Sequence, residues 1–224
     1  MKRVGLLIAI ESELKAFLES GAEIREEKAW GRTVYRTAMG EKKVIALCSG
    51  CGEIDAAAGT QLLITGYGCQ EILNFGVTGA LDPALRVEDL FVVRKVCHYD
   101  FDTSAIDPVK PHQYMEFPDE FIPLDEGLIA LAKAAEPGLR ETAVASGDKF
   151  VESRDMKREL NALGCQICDM EIAAIARVCA LNGVPCLSVK CISDTFEGGS
   201  GDFLTNVRNS AREAFRVLWA VLKS

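Results

Sequence analysis

Three acidic residues that follow apolar segments are the residues in this sequence best suited to chemistry. Glu13 comes shortly after the apolar run 4–10, Glu171 stands where a predicted strand gives way to a helix, and Asp194 ends another apolar run. Carboxyl groups without metal ligands or a nucleophile beside them suit proton transfer to and from a bound neutral molecule. A simpler interpretation of Glu13 stays open, because acids in the first turn of a helix stabilise its dipole.

Other kinds of catalytic site are not indicated. The sequence has no Gly-x-Ser-x-Gly elbow and no paired histidines that suit a metal. Two Cys-x-x-Cys pairs, Cys48/Cys51 and Cys165/Cys168, suggest zinc, but they lie far apart, and the second pair falls in a predicted strand, where residues i and i+3 point to opposite faces. We therefore expect no metal and no cofactor. The nine scattered cysteines are interpreted as reduced, buried thiols.

The composition is that of an acidic chain with enough apolar residues for a full core. It has 224 residues, 49% of them hydrophobic, and a formal net charge of -8. This charge argues against a nucleic-acid partner, which needs a basic surface, and no apolar run is long enough to span a membrane. The N-terminal run is interpreted as a strand and not a signal peptide, because acids follow it without a cleavage site. We expect one cytoplasmic domain over residues 1–224 that binds a small molecule.

Apolar runs and amphipathic stretches alternate along the chain, which predicts alternating strands and helices. The predicted strands cover residues 4–10, 33–38, 43–49, 71–74, 89–96, 142–146, 167–170 and 185–192. The predicted helices begin with 14–18 and continue with 53–64, 128–135, 154–163, 171–182 and 203–222. This order favours an α/β fold, a three-layer α/β/α sandwich with a central mixed β-sheet. The long irregular segment 101–123 is interpreted as a lid or an interface.

Two glycine-rich segments are predicted to follow strands. Residues 49–52, Ser-Gly-Cys-Gly, are suited to presenting backbone N–H groups to an anion or a sugar. They match a dinucleotide fingerprint only in part, because Asp55 stands at the third glycine position. Residues 75–81 are predicted as a loop, either backbone close to a ligand or a sharp turn. Ligands of α/β folds bind at the carboxyl ends of strands, so both segments belong to the expected site.

Six short motifs, in the same order along nearly the whole chain, resemble the purine and uridine phosphorylase superfamily. Within it, the chain looks most like the methylthioadenosine/S-adenosylhomocysteine nucleosidases. The motifs lie at residues 5–13, 49–52, 74–81, 147–151, 169–171 and 192–194. The sequences Asp-Met-Glu at 169–171 and Ile-Ser-Asp at 192–194 are the most specific of them. The resemblance implies a nucleoside phosphorylase-like fold and cleavage of an N-glycosidic bond.

The resemblance also implies three catalytic residues. Asp194 would be the general acid that protonates adenine at N7, and Ser193 would help to orient it. Glu13 would hold and activate the attacking water. Glycosidic cleavage builds positive charge on the ribose and negative charge on the leaving base, so carboxyl groups at these two places suit the reaction. For Asp194 to carry a proton near neutral pH its pKa must be raised, which burial can do.

The substrate-binding residues are implied in the same way. Glu171 would accept hydrogen bonds from the ribose hydroxyls, and Met170 would pack on the sugar. Phe150 would stack on the base, whose edge the main chain of Val151 would contact. The remaining residues expected to contact the substrate are Ile10, Val77 and Gly79.

The chain departs from the nucleosidase pattern at three places. Val77 stands where bacterial nucleosidases often carry serine, and Lys190 stands where many relatives have arginine, which alone binds in bidentate fashion. Segment 101–123 matches poorly. In the family this region helps to shape the pocket for the 5′ substituent, partly across a dimer interface, so we expect a homodimer.

Alternative functions stay open at this point. A phosphorylase would use phosphate in place of water, but an acid at position 13 repels phosphate, and the Gly-Asp-Pro first loop of such phosphorylases is missing. A hydrolase of another purine nucleoside, such as futalosine, would differ in its 5′ pocket. A nucleoside-binding protein without activity would be expected to lack one of the three acids, and all three are present.

Overall fold

The computed structural model describes residues 1–223, and the apolar runs of the sequence form the strands of a ten-stranded mixed sheet. The strands are β1 (Lys2–Ile8), β2 (Arg25–Ala29), β3 (Arg32–Met39), β4 (Lys42–Cys48), β5 (Glu71–Ala80), β6 (Leu90–His98), β7 (Ile122–Pro123), β8 (Arg140–Ser146), β9 (Ile167–Asp169) and β10 (Cys186–Asp194). The expectation of a single domain over 1–224 stays a prediction, and its last residue, Ser224, lies outside the described residues.

Within residues 1–223, six α-helices cover the sheet. They are α1 (Glu11–Leu18), α2 (Glu53–Gln61), α3 (Glu126–Ala135), α4 (Arg154–Ala162), α5 (Ile172–Asn182) and α6 (Ser200–Lys223). A π-helical turn, Leu62–Gly66, continues α2. Helices α1, α3 and α6 pack together on one face, and α2 packs on α5 on the other. The predicted α/β sandwich with a central mixed sheet is confirmed.

Part of the sheet closes on itself, which the sequence did not predict. Strand β10 pairs with β5 and with β6, and the path from β6 through β8 and β9 leads back to β5. Strands β1, β4, β3 and β2 extend the sheet from β5 in the open direction. Because β1, β5 and β10 are parallel, their carboxyl ends meet at one edge. Strand β9 pairs antiparallel with the end of β5, with Cys168 opposite Gly79.

One local prediction was wrong, and one edge strand was missed. Residues 75–80 continue strand β5 and do not form a loop. Their glycines are needed for close side-chain approach and not for a turn, because a β-carbon at Gly76 would stand within 2.4 Å of Glu13 Oε1. Strand β2 was missed because its sequence, Arg-Glu-Glu-Lys-Ala, is polar and lies at an exposed edge. The irregular course of 101–121 was predicted correctly.

Within residues 1–223, no helix is long and apolar enough to cross a membrane. The same residues contain no group of three or more His, Cys, Asp or Glu side chains placed to hold a metal ion.

Candidate active site

A cleft opens where β1, β5, β9 and β10 end. The structure brings all ten residues selected from the sequence to its wall. They are Ile10, Glu13, Val77, Gly79, Phe150, Val151, Met170, Glu171, Ser193 and Asp194.

Glu13 is a buried carboxylate fixed by backbone donors. Oε2 accepts hydrogen bonds from the N–H groups of Ala9 and Ile10 at 3.1 and 3.3 Å, and Oε1 accepts one from Val77 N–H at 3.0 Å. The bond from Ile10 N–H also caps α1, so Glu13 is at once a helix-capping residue and a residue that lines the cleft. Burial raises the pKa of Glu13 to about 7, against the lowering effect of Lys190.

Asp194 is placed by a β-bulge. The register between β10 and β5 shifts after Ile192, so that Asp194, and not Ser193, lies opposite Gly79. The Ser193 hydroxyl donates to Asp194 Oδ1 at 2.9 Å. The carboxyl group is only 3% exposed. Burial raises its pKa, while the hydrogen bond from Ser193 acts in the opposite direction.

Glu171 begins α5 on the other side of the cleft. Its Oε1 accepts a hydrogen bond from Gly52 N–H at 2.9 Å, so the glycine-rich turn 49–52 serves to hold this carboxylate. Gly52 has φ +100°, a conformation that favours glycine. Burial raises the pKa of Glu171, and so does the neighbouring Asp169.

A buried ion pair lies behind these acids. Lys190 Nζ lies 2.7 Å from Asp169 Oδ2, and both side chains are almost fully enclosed. Burial on its own would lower the pKa of Lys190, but Asp169, Glu171 and Glu13 more than offset this, and the pKa is raised. Lys190 therefore stays charged and is the buried cation around which three acids are arranged.

A further buried acid, Glu53, lies outside the cleft lining and joins α2 to α5. Its Oε1 accepts the Ser146 hydroxyl at 2.8 Å, and its Oε2 accepts Ala174 N–H at 2.5 Å. Burial raises the pKa of Glu53 to about 8. This network fixes the start of α5, where Glu171 stands.

The remaining wall is mostly apolar and partly aromatic. Phe150 is 43% exposed and meets the ring of Phe203 edge to face, with centroids 5.6 Å apart. Val151 is buried beside it. Met170 Sδ lies 3.8 Å from the exposed Cys51 thiol. An apolar, partly aromatic wall opposite carboxyl groups suits a flat heterocycle attached to a polar ring.

Sequence reasoning missed several lining residues. These are Ala9, Cys51, Thr78, Lys149, Cys168, Asp169 and Phe203. Neighbouring motif residues were a sufficient signal for most of them, but Phe203 belongs to the first turns of α6 and had no such signal. Within the described chain, no residue of segment 101–123 lines the cleft. Its expected part in the 5′ pocket stays a prediction.

The fold and the cleft together define an α/β enzyme with a site lined by carboxyl groups. The chain belongs to the phosphorylase superfamily, whose family model matches residues 3–223.

Two relatives and one solved structure from that family are similar to this chain over most of its length. The chain is 32% identical over 207 residues to an aminodeoxyfutalosine nucleosidase of Helicobacter pylori, covering 90% of this chain and 89% of that protein. It is 31% identical to a 5′-methylthioadenosine/S-adenosylhomocysteine nucleosidase of Treponema pallidum, covering 85% and 80%. The solved Helicobacter pylori nucleosidase of the latter kind, with butyl-thio-DADMe-Immucillin-A, superposes with a TM-score of 0.92 at 30% identity over 99% of this chain and 98% of that one.

Proposed function

We propose that this enzyme hydrolyses the N-glycosidic bond of purine nucleosides and releases adenine from 5′-methylthioadenosine/S-adenosylhomocysteine-type substrates. The observation that carries the proposal is the placement of two buried acids along β5. Glu13 binds the N–H of Val77, and Asp194 faces Gly79. Two residues of an extended strand span about 7 Å. This leaves room for a glycosidic bond and an attacking water between an acid and a base.

Asp194 is the general acid in this mechanism. Its burial favours the protonated form, which can donate to N7 of a bound purine as the bond to the sugar breaks. Once the proton has moved, the hydrogen bond from Ser193 stabilises the carboxylate that remains.

Glu13 holds and activates water. Three backbone N–H groups fix both of its oxygens, and its pKa of about 7 suits a group that takes up a proton near neutral pH. Its negative charge also stabilises the positive charge that develops on the ribose.

The other lining residues bind the two halves of the nucleoside. Glu171 accepts hydrogen bonds from the ribose hydroxyls, and Met170 packs on the sugar. Phe150 stacks on the base, and the backbone of Val151 contacts its edge. The edge-to-face contact of Phe150 with Phe203 supports this assignment, because it holds the stacking ring in place.

The charges of the cleft favour water over phosphate as the nucleophile. Four carboxyl groups line it, those of Glu13, Asp169, Glu171 and Asp194, and among the lining residues of the described chain the single cation is Lys149. Asp194 is protonated in this mechanism and Asp169 is paired with Lys190, so the charges that an anionic nucleophile would have to enter against are those of Glu13 and Glu171. A phosphorylase reaction is therefore the less favoured alternative.

Aminodeoxyfutalosine-type nucleosides are the second candidate substrate class. The observation that favours them is the similarity to the Helicobacter pylori nucleosidase that carries this name. The two classes share adenine and ribose and differ in the 5′ substituent, so the residues assigned above serve both.

We further propose that the enzyme is a cytoplasmic homodimer. Segment 101–123 carries Ile106 and Met115, which are 84% and 67% exposed, and a second copy would bury such side chains. All nine cysteines are free, which fits a reducing compartment.

A substrate panel tests the function. The pure enzyme would be incubated with methylthioadenosine, S-adenosylhomocysteine, aminodeoxyfutalosine, adenosine and uridine, and free bases would be separated by chromatography. Adenine release from 5′-substituted adenosines, without uracil release from uridine, is expected. Absence of adenine release from every substrate would contradict the proposal.

A further inference from the structure

Lys157 is a charged residue in the core, where the pattern of its helix calls for an apolar one. Helix α4 is amphipathic, and its buried face consists of Lys157 and Leu160. The lysine side chain has no exposed surface, while the adjacent Arg158 and Glu159 are exposed. Enclosing an ammonium group is unfavourable unless it has partners, so a lysine at this position needs a specific reason.

The partners of Lys157 follow directly after the proposed general acid. Its ammonium donates to the backbone carbonyls of Thr195 and Phe196 at 2.8 and 3.2 Å. Within residues 1–223 no carboxylate forms an ion pair with it. The positive charge is therefore neutralised by no immediate neighbour and acts on the nearest acids at longer range.

Helix α6 holds the other side of the turn at residues 195–196 that follows β10. The hydroxyl of Thr195 donates to Asp202 Oδ2 at 2.9 Å, and the side-chain amide of Asn206 donates to the carbonyl of Ser193 at 3.1 Å. Residues 193–196 are thus held by hydrogen bonds from α4 on one side and from α6 on the other. These bonds fix the direction in which β10 ends.

We propose that Lys157 is a positioning residue for Asp194: its buried ammonium fixes the chain directly after the acid and supplies positive charge that stabilises the Asp194 carboxylate left when the proton has moved to the base. The inference rests on the proposed function. It concerns a residue outside the cleft that touches neither substrate nor reacting atoms.

The electrostatic surroundings of Asp194 support this role. Burial raises the pKa of Asp194, and the Ser193 hydrogen bond and the charge of Lys157 lower it. Two further acids, Asp202 on α6 and Glu152 before α4, raise it. The thiol of Cys168 faces Asp194 from β9, and its own pKa is raised by burial and by that acid, so it stays neutral. Lys157 is thus the cation that lowers the pKa of Asp194, whereas two acids and burial raise it.

The test uses Lys157→Met, which removes the charge and both hydrogen bonds at similar length, and Lys157→Gln, which removes the charge but keeps a donor. Arg158→Met is the matched control, since it removes a cation from the exposed face of the same helix. Lys157→Met is expected to lower kcat for methylthioadenosine by about tenfold or more with KM changed by less than about threefold. Because the pKa of Asp194 rises, the alkaline limb of the kcat profile moves to higher pH.

Lys157→Gln is expected to show the same shift of the limb with a smaller loss of kcat. Arg158→Met should leave both unchanged. A folded Lys157→Met enzyme with an unmoved alkaline limb would overturn the proposal, as would a loss of kcat that only parallels a loss of melting temperature.

A second measurement does not depend on the substrate. The carboxyl carbon of Asp194 is titrated by NMR in protein labelled at aspartate, with Asp194→Asn to assign the signal. The pKa of Asp194 should be higher in Lys157→Met than in the unaltered protein, and equal values would overturn the inference. If the unaltered enzyme released no adenine while this shift was observed, the proposed function would fail and the influence of Lys157 on Asp194 would stand.

Discussion

Gly79 on β5 lies so close to Asp194 that a β-carbon at this glycine would stand 2.8 Å from Asp194 Oδ2 and 3.1 Å from the Cys168 sulfur. The carboxyl group of the proposed acid is thus seated against a strand that has no side chain at this point. The glycine is required for space and not for its backbone angles, and it lies within a regular strand.

Gly79→Ala is therefore expected to displace Asp194 and to lower kcat/KM by about a hundredfold. The cost to the free energy of unfolding should be only about 1–3 kcal/mol, as for other overpacked sites. Gly138→Ala is the matched control, because its β-carbon would meet nothing closer than 3.9 Å. Steady-state kinetics and thermal melts check both variants, and full activity of Gly79→Ala would show that this contact does not position the acid.

Asp194→Asn should remove proton donation while preserving shape. The Asn side chain keeps an oxygen that can accept the Ser193 hydroxyl, so the fold and substrate binding should persist. We expect kcat to fall by about 10²–10⁴-fold, the usual contribution of a general acid. Calorimetry with methylthioadenosine should still detect binding. Retention of the original kcat would remove Asp194 from the mechanism.

The pH profile should report Glu13 and its neighbour Lys190. Since Glu13 acts as a carboxylate and its pKa is about 7, activity should rise as pH increases through about 7. Lys190 lowers this pKa, so Lys190→Met should move the rising limb to higher pH. The variant also leaves Asp169 without its partner, which costs about 3–5 kcal/mol of stability.

Lys190→Arg is the control for this shift, because it keeps the charge. Its rising limb should stay near that of the unaltered enzyme. The profiles are measured well below each variant's melting temperature. A rising limb that does not move in Lys190→Met would mean that another group limits the rate there.

Asp148 connects the side of the cleft that we assign to the base, at Phe150, with the side that we assign to the ribose, at Glu171. Its Oδ1 accepts Glu53 N–H at 2.7 Å at the start of α2, and its own N–H donates to Asp100 Oδ2 at 3.0 Å. Asp148→Ala should loosen Phe150 relative to Glu171 and raise KM by about tenfold, equivalent to about 1.4 kcal/mol. Asp148→Asn keeps an acceptor for Glu53 N–H and should restore KM. Equal KM values for Asp148→Ala and the unaltered enzyme would contradict this link.

The features that were predicted from the sequence are those that depend on its local pattern. Apolar runs predicted most strands, and the order of short motifs predicted which strand ends carry Glu13, Glu171 and Asp194. The continuation of β5 through 75–80 could not be predicted, because the reason for its glycines is a side chain from α1 and another from β10. A single sequence does not show such pairs.

Contacts between residues far apart in the sequence account for the other features that the sequence did not predict. Lys190 was recognised as a departure from the family pattern, but its pairing with Asp169 depends on β9 and β10 both pairing with β5. Lys157 is followed in α4 by the charged residues Arg158 and Glu159, so the local sequence gives no sign that it is buried. Its burial follows from the packing of α4 on the turn after β10. Phe203 meets Phe150 across about fifty residues of chain, and no local signal indicates this contact.

The central claim is that water, and not phosphate, attacks the sugar of a purine nucleoside. The most direct measurement is turnover of methylthioadenosine in ¹⁸O-labelled water with phosphate present, followed by mass spectrometry of the sugar product. We expect adenine together with free methylthioribose that carries the label at its anomeric carbon. An unlabelled methylthioribose 1-phosphate, formed only when phosphate is supplied, would contradict it.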